Sequence, residues 1–138
     1  MTNMQRKILM IENDADDRAL TAEMFAAQNI NTHINFISTQ DFQPWMLSDT
    51  MDTDLILLSI STTQSQNLSI LSIIKKNPVI AVIPVIVLTD AVDDAFIQRL
   101  YQAGANTVIQ KPSGLEATVF KIRSFIEYWF RVAVLPQA

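Results

Sequence analysis

The chain has no cysteine and only two glycines, Gly104 and Gly114. Without thiols there is no disulfide, no thiolate nucleophile and no cysteine-type zinc site; a reducing compartment is compatible. Phosphate-binding loops need clustered glycines, because only a residue without a Cβ lets the backbone approach the phosphate closely. A P-loop and a G-x-G-x-x-G fingerprint are therefore excluded, and G-x-S-x-G is absent as well. Histidine occurs once, as His33 in the polar run Asn31-Thr32-His33. That removes most histidine-based metal and triad schemes, and His33 is expected on a solvated turn or strand edge. Positive charge is scarce, with a net charge of -4. No basic stripe is available to neutralise phosphates, so nucleic acid is not an expected partner. Long apolar runs are missing too. The longest, Val79 to Leu88, is broken by Pro84, and none reaches the roughly 18 to 20 residues of a membrane span. The first apolar run, ILMI, is too short for a signal peptide. A soluble, cytoplasmic protein is expected.

What is present is apolar. Such residues make up 49% of the 138, enough to bury a full core and to argue against disorder. The length fits one domain, residues 1–138. Short apolar runs alternate with helical spacing. Lys7 to Ile11 reads as a strand. Ala15 to Gln28 follows as a helix with Leu20, Met24 and Ala27 on one stripe and Asp14 as its N-cap. Ile34 to Ile37 is a weaker strand, and Thr39 to Leu47 a short helix interrupted by Pro44. Leu55 to Leu58 is a clean strand, followed by a polar loop from Ser59 to Asn67. Leu68 to Lys76 is a helix ended by Asn77-Pro78, and Pro84 to Leu88 a strand. Asp93 to Ala103 is a helix closed by Gly104, Thr107 to Ile109 the last strand, and Leu115 to about Val134 a long final helix. Apolar strands alternating with helices indicate a parallel α/β sheet covered on both faces.

In such a sheet the ligand crevice lies at the carboxyl ends of the strands, beside the switch in strand order. Glu12, Asn13 and Asp14 follow the first strand, Ser59 the third, Thr89 and Asp90 the fourth, and Lys111-Pro112 the fifth. The runs ILMIEND, DLILLS, PVIVLTD, AGAN and KP, in this order and spacing, resemble the receiver domain of bacterial two-component response regulators. The resemblance covers nearly the whole chain. The tail IEYWFRVAVLP also resembles the end of small stand-alone receivers associated with phytochrome-type sensor kinases.

That resemblance implies a flavodoxin-like (CheY-like), doubly wound five-stranded parallel sheet in the order 2-1-3-4-5. It also implies a chemistry. In the family an aspartate ending the third strand takes a phosphoryl group from a kinase phosphohistidine. Two acidic residues after the first strand help hold Mg²⁺, which neutralises the transferring group. A Thr or Ser and a Lys bind the phosphoryl oxygens. Glu12, Thr89 and Lys111 match the first acidic, hydroxyl and lysine positions, with Pro112 behind the lysine. Asn13 stands at the second acidic position and Ser59 at the phosphoacceptor. Val108 replaces the aromatic usual three residues before the lysine.

A serine hydroxyl is neutral and a weak nucleophile without a positioned base. Ser59 and Asn13 together remove about two formal negative charges from a site where Mg²⁺ relies on carboxylates. Metal binding is expected to be weak or absent, with Glu12 and Asp14 the remaining candidates. Asp54 begins the third strand, about 16 Å from Ser59 at the wrong end of the sheet. Asp14 either swings into the vacated position or caps the first helix, the favoured reading. Asp90 is expected to cap the fourth helix or face solvent, and Asp16 and Asp17 to be solvated. Lys111 is expected to contact Glu12 or Ser59 and fix the pocket in one state.

In the final helix, Val119, Ile122, Ile126 and Phe130 form a stripe suited to cover the sheet. Phe125, Tyr128 and Trp129 add apolar area that fits either core packing or an interface. Three functions remain open. The first is a non-enzymatic signalling module acting through a protein partner, such as a sensor histidine kinase or phytochrome-type kinase, or through homodimerisation. The second is a receiver still phosphorylated at Ser59 with Asp14 as metal ligand. The third is a small-molecule-binding flavodoxin-like protein, disfavoured by the missing glycines.

Overall fold

The computed structural model describes residues 5–28, 30–47, 52–111 and 115–136. Among these, the strands are β1 (Arg6–Ile11), β2 (Thr32–Ile37), β3 (Leu55–Ser59), β4 (Val85–Thr89) and β5 (Thr107–Gln110). The helices are α1 (Ala15–Ala26), α2 (Phe42–Met46), α3 (Leu68–Lys76), α4 (Asp94–Gln102) and α5 (Leu115–Ile126). The strands pair in parallel in the order β2-β1-β3-β4-β5, as expected.

β3 is apolar at each position before Ser59 because both faces of the sheet are covered. Ile56 and Leu58 point one way, with Leu9, Ile11, Val85 and Val87. Phe42 of α2, Leu71 and Ile74 of α3, and Phe96 and Leu100 of α4 close that layer. Leu55 and Leu57 point the other way, with Ile8, Met10 and Ile86, under Phe25 of α1 and Phe125 and Ile126 of α5. Right-handed crossovers dictate this division. The step from β1 out to β2 lays α1 on one face, and the reversed steps to β3, β4 and β5 lay α2, α3 and α4 on the other.

Several elements differ from the sequence expectation. α1 buries Phe25, whereas Leu20 is 44% exposed and Ala27 lies at the surface. Alanines and charges are spread around this helix, so spacing alone does not fix its rotation. α2 tolerates Pro44 because the proline falls in the first turn, where backbone N–H groups lack helical partners anyway. The polar stretch after β3 holds a 3₁₀ helix, Thr62–Asn67. The last helix is not α-helical throughout: a π-helical turn covers Glu127–Val132, closed by the Ala133 N–H donating to the Tyr128 carbonyl at 2.7 Å. The wider turn lets the adjacent Trp129 and Phe130 both pack on the layer of Phe125 and Ile126. Pro112, Gly114 and the Val119 side chain lie outside the described residues.

Gly104 is where glycine is required. Its φ is 118°, and the chain leaves α4 there through paired bonds from Gly104 N–H to Tyr101 O and from Ala105 N–H to Leu100 O. A Cβ at this position would lie 2.4 Å from Cγ of Lys75, part of the stem rather than its flexible end. Gly104→Ala is expected to cost about 2–3 kcal/mol through backbone strain and overpacking. A urea midpoint unchanged in the variant would contradict this.

Candidate functional site

The carboxyl ends of β1, β3, β4 and β5 bring Glu12, Ser59, Thr89 and Lys111 to one edge of the sheet. Backbone bonds carry the ladder into that edge: Glu12 N–H donates to Ile37 O, Ile60 N–H to Leu88 O and Lys111 N–H to Thr89 O. Their positions are thus set by the sheet rather than by loops. Glu12, Ser59 and Thr89 are buried, at 7%, 8% and 0% exposure.

A buried carboxylate demands partners. Glu12 Oε1 lies 3.4 Å from the Lys111 ammonium, and Oε2 accepts from the Asp14 N–H at 3.2 Å. Lys111 also reaches Asp17 Oδ2 at 3.4 Å. The expected Lys111–Glu12 contact is therefore present, and Asp17 joins it. Asp17 lies in the first turn of α1 and is half exposed, in keeping with a solvated turn, and its side chain also reaches back toward the end of β5. Nothing local in the sequence marks that pairing, which spans the whole domain. The two halves of this triad differ in worth. Asp17 is half exposed, and such pairs contribute about 0–1 kcal/mol. Removing Lys111 instead leaves a buried Glu12 carboxylate short of a partner. Lys111→Met is expected to cost about 1–3 kcal/mol, more than Asp17→Asn. Urea unfolding at neutral pH checks the ranking, and a reversed order would contradict it.

Asp14 caps α1: its Oδ1 accepts from Asp17 N–H at 3.0 Å. Asn13 turns to the start of the segment after β2. Its Oδ1 accepts from Thr39 N–H at 2.9 Å, and its Nδ2 donates to Thr39 Oγ1 at 3.2 Å. Arg18 Nε donates to the Glu12 carbonyl. Thr89 Oγ1 accepts from Ala91 N–H at 3.1 Å, which pins the loop after β4. Asp90 is exposed, the second of its two expected placements, and does not cap α4. It accepts from Thr62 N–H at 3.2 Å and ties the loops after β3 and β4 together, while Asp93 caps α4 through Ala95 N–H. Asp54 accepts from Lys7 N–H at the far end of the sheet. His33 is an exposed β2 residue.

As a divalent-cation site this donor set fits poorly. Hard cations want several anionic oxygens free to converge. Glu12 already faces an ammonium, Asp14 is held by a helix terminus, and Asn13 and Ser59 supply no charge. Among the described residues no group of three or more Asp, Glu, His or Cys converges as a metal site.

Along the outer edge of β5, two side chains close the backbone. The Val108 N–H donates to the Tyr101 hydroxyl at 3.1 Å, and Lys121 Nζ donates to Gln110 O at 2.7 Å. On the other face of the sheet end, Gln110 Nε2 donates to Ala91 O. Val108 is half-buried against α4 rather than presented as an aromatic surface. Of the suggested interface residues, Tyr128 is 52% exposed and Trp129 is half-buried. Phe125 is not a surface residue. It is buried and meets Phe25 and Phe130 edge-on at 5.9 and 6.0 Å.

The response regulator receiver domain family matches residues 8–123. The chain belongs to that family. Response regulator Rcp1 of Synechocystis is 23% identical over 143 residues, spanning 99% of this chain and 97% of that protein. A response regulator in red light signaling of R. palustris superposes with a TM-score of 0.81 at 22% identity, over 96% of this chain and 99% of that one. The phosphorylated cyanobacterial phytochrome response regulator RcpA gives 0.80 at 24% identity, over 97% and 100%. Receiver domains serve two-component signalling, typically as non-enzymatic modules that engage protein partners such as histidine kinases. Among the described residues of this receiver, no helix is long and apolar enough to cross a membrane.

Proposed function

We propose that this receiver signals through protein contacts and has lost aspartyl phosphorylation at position 59. The observation that carries the reading is Ser59 itself. A buried, neutral hydroxyl ends β3, where receivers have a carboxylate that is both nucleophile and metal ligand. The nearby acids are engaged elsewhere. Glu12 is held by Lys111 and the Asp14 N–H, and Asp14 by the Asp17 N–H. Neither is poised as the base a serine nucleophile needs. The Glu12–Lys111–Asp17 triad instead supports a pocket fixed in one state, with weak Mg²⁺ binding. The alternative, phosphoserine formation with Asp14 as metal ligand, requires Asp14 to abandon its helix cap.

The partner we propose is a protein, a sensor histidine kinase or phytochrome-type kinase, in keeping with the relatives. Tyr128 and Trp129 are offered as contact residues, and a homodimer is a further mode of association. The pocket chemistry is tested by adding Mg²⁺ with beryllofluoride and following amide shifts by NMR. No specific change at Ser59, Thr89 or Lys111 is expected. Saturable shifts at those three residues would overturn the reading.

A further inference from the structure

The sheet face under α1 and α5 is not filled. A cleft of about 180 Å³ lies between the two helices. Its floor takes one side chain from each of four strands: Met10, Leu57, Leu88 and Ile109. Asp17, Leu20, Thr21, Met24 and Phe25 of α1 form one wall, at the i, i+3, i+4, i+7, i+8 spacing of a single helical face. Ile122 and Phe125 of α5 form the other, and Glu12, Lys111 and Lys121 stand at the mouth with Asp17. The short side chain of Thr21, midway along the α1 wall, is one reason the space stays open.

Size and charge together define an occupant. An apolar cavity of about 150 Å³ accommodates benzene, so this cleft suits an apolar body of roughly six to ten non-hydrogen atoms. At the mouth, Lys111 is already paired with two carboxylates, Glu12 and Asp17. Lys121 is not. Its ammonium holds only the neutral Gln110 carbonyl, and among the described residues no carboxylate pairs with it. Lys121 thus stands at the mouth without a carboxylate of its own, and an anion beside it would supply that partner.

We propose that the cleft binds a small amphiphilic carboxylate, its apolar body on the Met10–Leu57–Leu88–Ile109 floor and its carboxylate on Lys121. A bound carboxylate at this mouth also competes with Asp17 for the Lys111 ammonium, so occupancy would be felt at the ion triad. Ser59 does not line the cleft. The proposal therefore stands or falls separately from the phosphorylation reading.

Phenylacetate is a suitable probe, with toluene and phenethylammonium as comparison compounds, followed by NMR on the full chain. Phenylacetate is expected to give saturable shifts at Leu20, Met24 and Ile122, with a Kd about millimolar for its size. Lys121→Gln should weaken it about tenfold through loss of a charge-assisted bond. Thr21→Phe, which fills the cleft, should abolish it. If Thr21→Phe fails to fold, the Lys121→Gln comparison and the charge order of the probes still decide the matter. No saturable shift, or equal affinity for phenethylammonium, would overturn the proposal. Binding of toluene and phenylacetate alike, unaffected by Lys121→Gln, would assign the cleft to an apolar side chain of a partner and also overturn it.

Discussion

Replacing Ser59 and Asn13 together by aspartate is expected to give a chain that binds Mg²⁺ and takes up a phosphoryl group from a small phosphodonor. The double change restores two carboxylates beside the retained Glu12, Thr89 and Lys111. A pair of unit charges about 4 Å apart in a partly buried setting is worth about 4 kcal/mol before desolvation is subtracted. A gain of roughly a hundredfold in Mg²⁺ affinity, about 2.7 kcal/mol, is modest against that. The scaffold should accept the change. An aspartate at position 13 keeps the acceptor oxygen for Thr39 N–H, and the Thr39 hydroxyl, 3.4 Å from that oxygen, can donate to it. Both changes are needed, because Ser59→Asp supplies the nucleophile and Asn13→Asp the second metal charge. Each single variant should show far less uptake, a non-additive result expected of groups that share one ion. Magnesium titration and intact-mass measurement after phosphodonor treatment check this. A double variant as inert as the parent would mean that the pocket, not only two residues, has been remodelled.

The second large effect is structural. Phe42→Ala is expected to cost about 3–5 kcal/mol, the usual range for removing a buried phenylalanine. Phe42 is 1% exposed and stacks on Trp45 with ring centroids 6.0 Å apart. α2 is only five residues long, too short to persist on its own propensity, so this one ring does much of its anchoring. Domains of this kind have about 5–15 kcal/mol in all. Urea unfolding followed by far-UV circular dichroism reads the loss, and Trp45 fluorescence should report local exposure. A loss under about 1 kcal/mol would show that α2 is held by other contacts.

The contrast between these two sites shows what a sequence carries. β1, β3 and β4 are legible because each carries a short apolar run, and a doubly covered sheet leaves few other places for such runs, whereas β2, with Thr, His and Asn interspersed, reads only weakly. Asp14 is legible as a cap because the signal is local. So is the Lys111–Glu12 pair, since the family pattern places both at strand ends. Asp17 is not. Its role depends on how α1 is rotated, and a helix with small and charged residues on every side leaves that open. For the same reason Phe25, rather than Leu20, emerges as the anchor of α1, and the cleft beside it has no signature. Asp90 is exposed, one of its two expected placements, but its bond from the Thr62 N–H, 28 residues earlier, has no local signal. The π turn is hidden too, because a change of helical pitch follows from packing Trp129 and Phe130 together, not from the composition of the tail.

The central claim is that position 59 no longer accepts phosphate. The unaltered chain, incubated with Mg²⁺ and a small phosphodonor beside the Ser59→Asp, Asn13→Asp variant, is expected to keep its intact mass while the variant gains a phosphoryl group. An acid-stable phosphoryl group on the unaltered chain, mapped to Ser59, would contradict the account.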